Sequence, residues 1–61
     1  MDVELLQRQC NKLLIGMVGE SLLERWWSSY NKAFNQTPKE QFSIDPTSVY
    51  KYLLKCAEGE W

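Results

Sequence analysis

Catalysis in a small protein needs a nucleophile beside a base, a carboxylate pair in a cleft, or side chains spaced to hold a metal. The chain has no histidine, which removes Ser-His and Cys-His pairs and any imidazole ligand for zinc. Its two cysteines, Cys10 and Cys56, stand far apart without CxxC spacing. They read as reduced core thiols, because a free cysteine behaves as a small buried hydrophobe. A disulfide between them is the alternative and would require an oxidising compartment. Glu20 and Glu24 flank a helix start, where acids complement the backbone dipole, and Glu58 and Glu60 belong to a solvated tail. Gly16 and Gly19 lack the GxGxxG or Walker spacing that cradles phosphate. The expectation is a protein that is not an enzyme and takes neither cofactor nor metal.

What the sequence does supply is apolar and aromatic surface. Of 61 residues, 44% are hydrophobic, with three tryptophans, three tyrosines and two phenylalanines. That is enough for one small folded domain, but a chain of this length buries only about 60% of the surface its unfolded form exposes. A second copy or a partner would add what the core lacks. Seven basic against eight acidic side chains leave a net charge of -1, without the basic excess of a strong nucleic-acid binder. No apolar run approaches the roughly 18 residues of a membrane span. The N-terminus reads Met1-Asp2-Val3-Glu4, with no basic leader or cleavable apolar stretch, so a cytoplasmic protein is expected.

The elements that must position these side chains are helices. Val3, Leu6, Cys10, Leu13, Leu14, Met17 and Val18 recur at three- and four-residue steps, which predicts an amphipathic helix from Val3 to Val18, capped by Asp2 and ended by Gly19. Ser21-Leu22-Leu23-Glu24 has the capping-box pattern and predicts a second helix to about Phe34, with Leu22, Leu23, Trp26, Trp27, Tyr30, Ala33 and Phe34 on one side. Thr37-Pro38 and Asp45-Pro46 each place a capping residue before a proline, so a third helix should run from Pro38 to about Ser43 and a fourth from Pro46 to about Glu58. The last should turn Val49, Tyr50, Leu53, Leu54, Cys56 and Ala57 inward. No segment alternates with the period of a strand. The predicted fold is all-α: one compact bundle of about four short helices covering 1–61.

Residues that break these patterns are the candidate partner-binding positions. Leu5 and Ile15 project onto the polar side of the first helix near Arg8 and Lys12. Trp27 and Phe34 sit together at one edge of the second helical arc, where aromatics often seal a core or an interface. Tyr52 falls outside the inward arc of the last helix, and Trp61 is an aromatic tail residue. The third and fourth helices also have helix-turn-helix proportions, with Thr47, Ser48, Lys51 and Lys55 facing a DNA groove. Two lysines on a slightly acidic chain supply few phosphate contacts, so a DNA-binding regulator is the alternative rather than the first reading.

The order of residues from about Val18 to Glu58 resembles the toxin-binding domain of the Xre/MbcA/ParS antitoxins. The resemblance is carried by Gly19-Glu20, Trp27 eight positions after the glycine, Asn31-Lys32-Ala33-Phe34, Thr37-Pro38 followed by Gln41-Phe42, and finally Val49 and Leu53-Leu54. Asn35-Gln36 occupies the bend where the family usually has a glycine pair, one residue shorter, and Tyr30 stands where a proline is common. Full-length members often carry an N-terminal DNA-binding domain, in place of which this chain has one helix. The resemblance implies a small helical module that dimerises and docks on a cognate toxin, typically one that degrades NAD, to block its active site. A phage- or plasmid-encoded inhibitor of a host protein is a second form of the same protein-binding role.

Overall fold

The computed structural model describes residues 2–59. It contains helices α1 (Val3–Val18), α2 (Leu23–Ser28), α3 (Pro38–Ile44) and α4 (Pro46–Ala57), with a 3-10 turn at Glu20–Leu22. The fold is all-α, as expected from the periodicity. α1 packs most extensively on α4, and α3 packs on α4 and α2. The principal extents of 24 × 24 × 23 Å are nearly equal, so the helices form a bundle rather than an extended coil.

Two of the four helix starts carry a side-chain cap. The Asp2 carboxylate accepts the backbone N–H of Glu4 at 3.0 Å and of Leu5 at 3.4 Å, giving α1 its N-cap. Gly19 ends α1 with φ +88°, a backbone state that costs glycine nothing, while its N–H returns to the Ile15 carbonyl. Thr37 and Glu40 form a reciprocal capping box at the start of α3, with Pro38 in the first turn. α4 departs from expectation in detail, because the Asp45 side chain makes no capping bond. Instead the Ser48 hydroxyl donates to the Asp45 carbonyl at 2.7 Å and accepts from the Gln41 amide at 2.7 Å.

The second helix is the main correction. It begins as a 3-10 turn after Gly19, the Ser21–Glu24 capping box does not form, and α2 ends at Ser28 rather than near Phe34. Ser29 is extended and its hydroxyl donates to the Arg25 carbonyl at 2.7 Å, closing the last turn. Asn31 then organises a reverse turn. Its side-chain oxygen accepts the Ala33 N–H at 2.9 Å, its carbonyl accepts Phe34 and Asn35 N–H, and its own N–H donates to Gln36 at 3.0 Å. Asparagine offers the backbone these local partners in place of a helix ladder, and here that competition wins. Asn35 completes the turn in the left-handed region with φ +58°.

The core is small: Leu6, Cys10 and Leu14 of α1, Trp27 of α2, and Val49 and Leu53 of α4 are buried. Pro38 is also sealed inside. The inward arcs read from the sequence are therefore covered at their centres and left open at their ends. Val3, Met17, Val18, Leu22, Tyr30 and Ala57 were expected inside and are exposed. Tyr50, Leu54 and Cys56 are half-buried.

Candidate protein interface

Trp27 belongs to the core, which corrects its assignment to a docking surface. Its ring meets Trp26 edge to face at 5.2 Å and Phe42 at 5.5 Å, and its indole N–H donates to the Asn11 side chain at 2.9 Å. The fourteen-residue helix expected from the sequence put Trp27 near the rim; the six-residue α2 puts it at the centre of the bundle. Phe34 and Tyr52 are brought together, but on each other: their rings lie 5.0 Å apart at 66° and both are half-buried. Burial pushes the Tyr52 phenol pKa up, and the neighbouring Cys56 thiol adds to the rise. This pair seals the turn at 31–36 against α4, while Tyr52 also lines the groove between α1 and α4. Trp61 lies outside the described residues.

Leu5 and Ile15 are where the helical phase put them, on the outer face of α1, 50% and 45% exposed. They do not join Phe34 or Tyr52 in one site.

A larger apolar surface lies where the sequence reading placed core. A groove of about 330 Å³ runs between the ends of α1 and α4, lined by Leu14, Met17, Val18, Trp26, Tyr52 and Cys56 among others, with no charged side chain along it. A second depression shares Val18 and Trp26 with the first and continues over Leu22, with Arg25 as its one charge. Val18 and Leu22, 38% and 44% exposed, therefore form the rim of one continuous apolar face floored by Trp26. Sequence periodicity missed it because Met17, Val18, Leu22 and Trp26 sit on arcs that look inward. The signal that could have found it is the length of α2, since six residues are too few to cover the last turn of α1.

A third depression, between α1, α2 and α3, holds about 310 Å³ and mixes Glu24 and Lys39 with Asn11, Trp27 and Phe42. Two of its lining residues, Asn11 and Trp27, already bond to each other. Among the described residues no group of histidine, cysteine or acidic side chains is placed to hold a metal, and no buried side-chain donor or acceptor lacks a partner. Cys10 is fully buried, and burial pushes its thiol up to about 11, so it remains a protonated core group and not a nucleophile. Cys10 and Cys56 are both free thiols. No described helix is long and apolar enough to cross a membrane.

The helix-turn-helix reading loses one of its contacts, because the Ser48 hydroxyl is held between Gln41 and the Asp45 carbonyl. No family model matches the chain, and no curated protein or solved structure matches it either.

Proposed function

We propose that the protein is a non-catalytic protein-binding module that pairs with a second copy of itself through the Val18–Leu22–Trp26 face and docks on another protein. The observation that carries this reading is the continuous, nearly uncharged apolar face at the ends of α1 and α4. A partner seated on this face would add the apolar burial that so small a core lacks. A second copy suits the groove lined by Met17, Val18, Tyr52 and Cys56, which brings no charge to a two-fold axis, while Arg25 is the one cation of the adjoining depression. Interfaces between permanently paired copies are the more hydrophobic class.

The finer form of the proposal is an antitoxin-like domain that blocks a cognate toxin. It rests on the residue order from Gly19 to Leu54, and one local feature supports it. Asn35 stands in the bend where the antitoxin family usually has glycine, and it adopts φ +58°, a conformation that glycine reaches without strain. Asparagine is among the few other residues that enter this region readily.

The experiment is the solution mass of the chain across a dilution series, with Val18→Asp as the variant. The native chain should sediment as a dimer and dissociate on dilution, while the variant should stay monomeric with the same helical circular dichroism. A native chain that remains monomeric at every concentration would remove the self-pairing part of the proposal.

A further inference from the structure

The outer face of α1 carries Leu5, Arg8, Lys12, Ile15 and Gly16, and all five are exposed. At about 100° per residue they fall within an arc of roughly 100°, with the two apolar side chains about 15 Å apart along the axis and the two cations between them. Three features of this stripe work against the helix taken alone. Gly16 is not at a positive φ, and a Cβ placed on it would meet nothing within 4 Å. Neither backbone conformation nor internal packing therefore calls for glycine, which destabilises a helix interior relative to alanine. Arg8 and Lys12 stand at i and i+4, where like charges repel. Lys12 has no acidic residue three or four positions away on α1, and Arg8 has only the exposed Glu4. Leu5 and Ile15 leave about half their surface in water.

We infer that this face docks an acidic amphipathic helix of a different protein: carboxylates meet Arg8 and Lys12, apolar side chains cover Leu5 and Ile15, and the partner's backbone passes close over Gly16. The inference rests on the protein-binding role above and names the chemistry of the second partner. A second copy of this chain does not fit the stripe. Antiparallel pairing about its centre sets Leu5 opposite Ile15 but Arg8 opposite Lys12, and parallel pairing sets each cation against itself, so like charges face each other either way. Two apolar side chains are also too few to seat α1 in a lipid surface. A surface of complementary charge satisfies the stripe, and the missing side chain at position 16 gives it room to approach.

The test uses the full chain and two synthetic alanine-based helical peptides. One carries leucine at its first and eleventh positions and glutamate at its fourth and eighth; the other replaces both glutamates with lysine. Calorimetry at low and raised salt should show the glutamate peptide binding, weakening as salt screens the contact, and the lysine peptide failing to bind. Arg8→Glu with Lys12→Glu should reduce affinity for the glutamate peptide at least tenfold. Gly16→Ala is the more diagnostic variant, because it should raise the thermal midpoint of the isolated chain yet weaken peptide binding at least fivefold. No binding up to about 1 mM, a range that still admits very weak complexes, would overturn the inference. So would equal binding of both peptides, or Gly16→Ala binding as well as the native chain. Association with phosphatidylserine vesicles in place of the peptide would overturn it in favour of a lipid surface. None of the varied residues Arg8, Lys12 and Gly16 lines the self-pairing face, so the dimer mass recorded on the same samples separates failure of this inference from failure of the protein-binding proposal.

Discussion

Leu14 and Ile15 are adjacent aliphatic residues that the fold treats oppositely: Leu14 is 1% exposed, while Ile15 is 45% exposed. Truncating each to alanine therefore measures the rotational setting of α1. A buried leucine cut to alanine loses its transfer energy and leaves a cavity, at a cost of about 2–5 kcal/mol. Leu14 also borders the groove under Val18 and Trp26, so its neighbours can partly collapse into the space, which places the expected loss near 3 kcal/mol. For Ile15 about half of a side-chain burial worth roughly 1.5–3 kcal/mol is at stake, and alanine recovers part of it as a better helix former, leaving under about 1 kcal/mol. A domain of 61 residues has about 3–9 kcal/mol in total, so Leu14→Ala should remove a third or more of it. Urea unfolding followed by tryptophan fluorescence, at a protein concentration low enough to keep the chain monomeric, reads both values. Equal losses at the two positions, or a larger loss at Ile15, would mean that α1 is turned differently, and the stripe of Leu5, Arg8, Lys12 and Ile15 would cease to be an outer face.

Other consequences are as direct. Asn11→Ala leaves the Trp27 indole N–H without its acceptor at 2.9 Å and should cost about 1–2 kcal/mol in the same urea assay; Asn11→Asp, which keeps an acceptor, should cost less, and equal losses would deny the bond its role. Asn35→Gly and Asn35→Val both remove the exposed bond that the Asn35 side chain accepts from the Tyr30 hydroxyl at 2.7 Å, but only valine is forced as a β-branched residue to φ +58°, so the valine variant should be less stable than the glycine variant by about 1–3 kcal/mol; equal stability of the two would contradict the left-handed turn. Burial raises the Cys10 thiol from 9.0 to about 11, so the unfolded chain releases this proton first as the medium becomes alkaline. Stability is whole below about pH 9 and falls as pH rises towards 11. The urea midpoint should drop more steeply across that window than in Cys10→Ala, and parallel curves would refute it. At neutral pH a thiol reagent should modify half-buried Cys56 while Cys10 stays protected.

The parts of the fold legible in the sequence are those fixed by short-range chemistry. Asp2 and Gly19 bracket α1 where the apolar spacing begins and ends, and Thr37-Pro38 and Asp45-Pro46 open α3 and α4 at the stated residues. α2 was legible at neither end: the Ser21–Glu24 capping box does not form, and the helix stops at Ser28. Its apolar pattern continues through Phe34, but Asn31 diverts the backbone into a turn stabilised by its own side chain, and periodicity carries no record of that competition. The errors at the site follow from this one boundary. With a long α2, Trp27 looks peripheral and Val18 and Leu22 look covered; with a short one, Trp27 moves to the centre and Val18 and Leu22 become the rim of the apolar face. Leu5 and Ile15 were read correctly as exposed because their position depends only on the phase of α1, which its caps hold in place.

Sedimentation of the full chain tests the central claim, that the apolar face around Trp26 is an interface. Between about 1 and 500 µM, a span covering the affinities open to a small apolar interface, the native chain should pass from one to two copies of 7.2 kDa. Val18→Asp should hold it at one copy without loss of helix. A native chain that stays a single copy throughout, or a Val18→Asp variant that pairs as readily, would contradict the account.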